Sequence, residues 1–180
     1  MVPHRPPMTS PAGFESFLSH IESLALRAVA RHWHEVRGKN LMPSWADLTS
    51  PAISPYFKML WGFQYDREAK QFRGWLAGQK LRKWVDKNFS GSLYQDLVPP
   101  PDYEEAQQHL IRIVTTPLAA RSSGRLFIVD DLAVMGERIA LPLATDGENA
   151  DGIFGASDYI SPPLLGPARL VHENMEWYRI

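Results

Sequence analysis

Between Phe57 and Tyr65 large apolar residues stand at every second position (Phe57, Met59, Trp61, Phe63, Tyr65), separated by Lys58, Leu60, Gly62 and Gln64. A period of two puts all five side chains on one side of an extended chain, so the segment predicts a half-buried strand. Asp66 to Lys70 is a polar turn, and Phe72 to Gly78 reads as the returning strand. Tyr56 to Gly78 is therefore expected to form a β-hairpin.

The pattern on either side of the hairpin is different. Residues 1–10 hold three prolines and little to bury, and read as a flexible arm. Ser10-Pro11 suits a helix start, with Ser as N-cap and Pro at the first helical position. A long helix is expected over residues 11–38, closed by Gly38. It carries one apolar stripe of Phe14, Leu18, Ile21, Ala25 and Ala28, and a second, rotated one of Leu26, Val29, Ala30 and Trp33. Two stripes imply two contacts. The second is assigned to a homodimer interface, because a symmetric pair can set the same patch against itself; the alternative is that the helix folds back on its own sheet.

Downstream, a Pro-rich connector (41–55) leads into the hairpin, with Asp47 or Ser50 placed to cap a short turn. Lys80 to Lys87 and Ser92 to Leu97 suggest short helical pieces. Asp102 and Glu105 have the spacing of a capping box, opening a helix with Tyr103, Ala106, Leu110, Ile113 and Val114 on one face that stops before Pro117. Leu118 to Val129, Leu132 to Ala144 and Gly152 to Tyr159 read as strands. Ser122-Ser123-Gly124 and Asp130-Asp131 compete as turns, and Asp146-Gly147 marks the last hairpin. The tail, 161–180, suits an edge strand or a docking arm. This order gives an α+β domain of about five strands with helices packed on one face.

Charge and composition narrow the functional classes. With 19 basic and 20 acidic residues the net charge is -1, without the basic excess that draws a protein to nucleic acid. The absence of cysteine excludes disulfides, thiolate nucleophiles and Cys-bound zinc. Apolar runs such as Ile139 to Ala144 are far shorter than the ~20 residues of a membrane span. The first eleven residues contain no apolar signal core, so a cytoplasmic protein is expected.

Several short motifs fall in an order that resembles a family of short stand-alone bacterial PAS-like domains. They are Trp33 with Glu35-Val-Arg-Gly38, Met42-Pro43-Ser44, Phe72 to Gly78, Phe89-Ser-Gly91 with Asp96-Leu97, and Leu141-Pro142-Leu143. The match runs from about residue 30 to 156. It departs where the family tends to carry Arg after Met-Pro-Ser, since Trp45 stands there. The resemblance implies a five-stranded antiparallel sheet around a small cavity over residues 39–160. It also implies a sensory or protein-interaction module, not an enzyme, that signals through a partner protein.

The chemical candidates follow from that expectation. Trp61, Phe63, Trp75 and Leu141 are candidates for the wall of an apolar ligand site, with His109 and Ile113 on the helical side. Haem-binding relatives in the wider PAS class draw their iron ligand from a comparable helix, which makes His109 the candidate for haem. His32 and His34 flank Trp33 but diverge on a helix, so a shared metal ion is not expected. Asp130-Asp131 and Glu104-Glu105 are adjacent and also diverge. A small-molecule enzyme of the α+β cone type is the alternative, and needs a buried carboxylate facing the cavity.

Overall fold

The computed structural model describes residues 12–85, 88–160 and 168–180. The expected arm at 1–10, the Ser10-Pro11 helix start and the tail residues 161–167 lie outside the described residues. Two helices come first, α1 (Phe14–His20) and α2 (Leu24–Val36), and a 3₁₀ turn over Ser54–Met59 leads into β1 (Leu60–Asp66) and β2 (Gln71–Ala77). Short helices α3 (Gln79–Arg82) and α4 (Tyr94–Leu97) precede α5 (Tyr103–Thr115). The chain ends in β3 (Leu118–Val129), β4 (Leu132–Leu143), β5 (Gly152–Tyr159), β6 (Arg169–Leu170) and β7 (Glu176–Arg179). One curled antiparallel sheet runs β2-β1-β5-β4-β3-β6, with β7 also paired to β3.

This corrects the expected PAS-like architecture in three respects. The sheet is not limited to five strands, because the tail adds β6 and β7 to the outer side of β3. The helices are short and lie on both sides of the sheet instead of forming one face. There is no long N-terminal helix. The α+β class itself stands.

The break in the N-terminal helix has a distant cause. Residues 21–23 contain neither Pro nor Gly, yet Ile21 and Ser23 are extended (ψ 119° and 121°). Glu137 on β4 accepts hydrogen bonds from the amides of Glu22 (3.0 Å) and Ser23 (2.7 Å). Ser23 Oγ caps α2 by accepting from the Leu26 amide (3.2 Å) and donates to Asp158 (2.6 Å). Fixed acceptors thus satisfy the donors that a new helix start exposes, and the chain turns so that both helices lie along the sheet.

That turn removes the expected dimer surface. Leu26, Val29, Ala30 and Trp33 are wholly buried within the chain, and the Trp33 indole donates to the Pro142 carbonyl (2.9 Å). The strip covers the protein's own sheet and is not available to a second subunit.

Local signals elsewhere fare unevenly. The expected strands 118–129 and 152–159 coincide with β3 and β5. Asp130 and Asp131 both take positive φ (47° and 64°), the signature of a two-residue hairpin turn, while Ser122 to Gly124 stays inside β3. The first strand begins at Leu60, not Phe57, because Ser54–Met59 coils into the 3₁₀ turn. The capping box does not form. Asp102 stands at the N-cap position of α5, but its side chain makes no cap hydrogen bond, and its carboxylate pairs with Arg169 on β6 (3.0 Å).

Candidate functional site

Antiparallel partners share a face, so the register sorts the sheet into two sides. Trp61, Gly155 and Ala140 lie on one side, followed by Ala120 and Trp177. Two residues along, Ser122, Arg138 and Ser157 share it. Leu60, Ala156, Ile139 and Arg121 take the opposite side, with Gly62, Phe154 and Leu141. The α1–α2 pair covers this second side. On the first side, α4 and α5 stand off the sheet and leave a cavity of about 100 Å³. A second space of about 30 Å³ lies directly under α5. Trp61, Leu110, Arg138 and His172 border both.

The wall is aromatic because small residues beneath allow rings to lie on the backbone. Gly155 has no side chain, and a Cβ there would overlap the Trp61 ring, which rests on it. The Trp61 Nε1 donates to Ser157 Oγ (3.0 Å), fixing the indole in place. Phe63 packs against Phe89 and Tyr94, with ring centres 5.1 and 5.0 Å away. Trp84 donates to the Tyr159 hydroxyl (2.8 Å) and stacks on Phe127. Replacing Gly155 with alanine should therefore cost about 1–3 kcal/mol by overpacking. A urea midpoint equal to wild type would show that the indole is not seated there.

The polar groups of the cavity are few and one-sided. Arg138 is buried, and its guanidinium donates to Ser157 Oγ, the Val171 carbonyl and the Leu126 carbonyl, each at 3.3 Å. It also lies over the Phe127 ring, 5.0 Å from its centre. Burial lowers its pKa from the usual guanidinium range to about 10, which leaves it charged at neutral pH. His172 borders the same space, and burial and then the Arg138 charge hold its imidazole well below its ordinary pKa. His109 packs against His172 and Trp177, its ring centre 4.8 and 5.7 Å from theirs, and burial lowers its pKa too. Its Nδ1 is buried without a hydrogen-bond partner, as is the Ser122 hydroxyl. Among the described residues no Asp or Glu borders either space.

The structure brings four of the six expected ligand-site residues to this side. Trp61 and Phe63 line the larger cavity, and His109 and Ile113 line the smaller one, where Trp61 also reaches. Trp75 does not belong to the site: it falls in the β1–β2 irregularity, is about half exposed and contacts Trp45 with ring centres 6.0 Å apart. Leu141 also faces away, fully buried on the α1–α2 side. Trp45 lays its ring over Gly62 and meets Phe154 edge-on. Its role there is packing.

Trp84, Tyr94, Arg138, Ser157 and His172 were not expected in the site. Arg138 had a signal: period-two alternation in β4 groups it with Ala140 and Pro142, placing a charge on an otherwise apolar stripe. The space beside His109 is far too small for a porphyrin, so the residues do not fit haem there. His32 is buried, and His34 stacks on Phe14, their ring centres 4.7 Å apart. Among the described residues, no three His, Cys, Asp or Glu gather as metal ligands. Nor is any described helix long and apolar enough to cross a membrane. Compared with known families and curated proteins, the chain matches no family model and no curated sequence.

Proposed function

We propose that this domain is a regulatory module that captures a small, mostly apolar molecule between its sheet and α5, and signals its presence through a partner protein. The observation that carries the reading is the aromatic cavity itself: Trp61, Phe63, Trp84, Tyr94 and Phe127 line a half-open space of about 100 Å³ that Arg138, Ser157 and His172 also border. Ligand sites have this composition, apolar walls with a few convergent polar atoms. The volume sets the ligand's size. An apolar cavity of roughly 150 Å³ accepts benzene, so a single ring or a short branched chain is the appropriate scale. The ordered motifs that resemble stand-alone PAS-like domains support the sensory part of the reading. A cone-type isomerase has less support, since it requires a cavity-facing carboxylate. Glu137 is a buried carboxylate, but it lies on the other face in contact with Arg121.

The test is the stability of the protein with toluene and indole in excess. A ligand at about 100 times its dissociation constant stabilises by roughly 2.7 kcal/mol, a clear rise in thermal midpoint. Leu110→Phe, which fills the space from the α5 side, should fold and lose the response. A wild-type protein whose midpoint does not move with either probe overturns the proposal.

A further inference from the structure

We propose that the cavity's ligand is a small monocarboxylate with an apolar body, held through its carboxylate by Arg138. This inference rests on the reading that the cavity binds a small molecule, and adds the chemical class.

The argument begins with an unbalanced charge. A buried guanidinium costs several kcal/mol in lost hydration unless it is paired and fully hydrogen-bonded. Arg121, on the opposite face, meets that condition with Glu137 (2.6 Å), Glu176 (2.8 Å) and Glu22 (3.5 Å). Arg138 is equally buried but has no carboxylate partner among the described residues, only three neutral acceptors at 3.3 Å. A guanidinium has five N–H donors, so two of them are left for something else.

The neighbouring groups share the same deficit. Ser157 Oγ accepts from both Trp61 Nε1 and Arg138 Nε, which leaves its own proton to be given. The Ser122 hydroxyl, directly opposite Arg138 on β3, is also buried without a partner, and it borders the smaller space under α5. The spare donors of Arg138 and Ser157 thus border the larger cavity, and what they lack is a negatively charged acceptor. A carboxylate matches the planar fork of a guanidinium. One cation with the Ser157 hydroxyl balances a monoanion, whereas a phosphate dianion would remain undercompensated. The aromatic wall then receives the apolar body.

Benzoate, benzamide and toluene separate the possibilities, with dissociation constants measured by calorimetry on the intact protein. Benzoate should bind wild type about ten- to hundredfold more tightly than benzamide, the worth of hydrogen bonds to a charged group. Arg138→Met should abolish that preference. It should also fold well, because apolar replacement of a buried charge is often neutral or stabilising. Arg138→Lys keeps the charge without the fork and should retain part of the preference. If wild type binds toluene but does not prefer benzoate to benzamide, the carboxylate inference falls and the apolar cavity stands, with water satisfying Arg138. If none of the three binds, both readings fall. The wild-type comparison decides the matter even if a variant does not fold.

Discussion

Replacing Glu137 with alanine should destabilise the protein by about 3–5 kcal/mol, the usual cost of removing one partner from a buried ion pair. Three groups depend on this carboxylate. Arg121 donates to it at 2.6 Å, and the amides of Glu22 and Ser23 donate at 3.0 and 2.7 Å. Without it, Arg121 keeps Glu176 and the more distant, exposed Glu22 but loses its one buried partner. The two amides lose the acceptor that allows α2 to start afresh at Ser23. Glu137→Gln should fall between the two, since an amide oxygen accepts one of these bonds but carries no charge. Urea unfolding followed by circular dichroism checks both variants. A loss below about 1 kcal/mol for alanine would show that the α1–α2 turn is not anchored here.

Trp33→Ala should be comparably damaging, again about 3–5 kcal/mol for truncating a buried tryptophan. Its ring is wholly enclosed, and its Nε1 satisfies the Pro142 carbonyl. Trp33→Phe retains most of the packing but leaves that carbonyl unpaired, which costs about 1–3 kcal/mol. Both effects should appear as a lower unfolding midpoint, with the sedimentation of the folded protein unchanged. Dissociation of an oligomer without loss of stability would instead restore Leu26, Val29, Ala30 and Trp33 as an intersubunit contact.

These two residues also show what could and could not be read from the sequence. The hairpin around Asp66 to Lys70, strands β3 and β5 and the helix holding Leu110 and Ile113 were legible because their signals are local: period-two alternation, period-3.6 stripes and turn residues. The single long N-terminal helix was misjudged because its break is imposed from residue 137, more than a hundred positions away. Asp102 and Glu105 had the spacing of a cap, but Arg169 draws the Asp102 side chain elsewhere. The alternation put Trp61 and Phe63 on one face of β1, and both line the larger cavity. The expected site also included Trp75 and Leu141, because apolar character does not reveal which face a side chain takes when both faces are covered. A slip in β1–β2 register sends Trp75 outward. His172 and Ser157 had no distinguishing signal, because only the folding of the tail and β5 against α5 gives them a shared environment.

The tryptophans in the cavity wall have an optical consequence. Indole emission responds to the polarity and the charge beside the ring. Trp61 and Trp84 border the cavity, each pinned through its Nε1, while Trp33 is sealed on the far side of the sheet and Trp75 is half in water. A molecule that displaced solvent from the wall, or neutralised Arg138, would change the light from the first pair and leave that from Trp33 as a fixed background. The domain thus carries a built-in gauge of whether its cavity is filled.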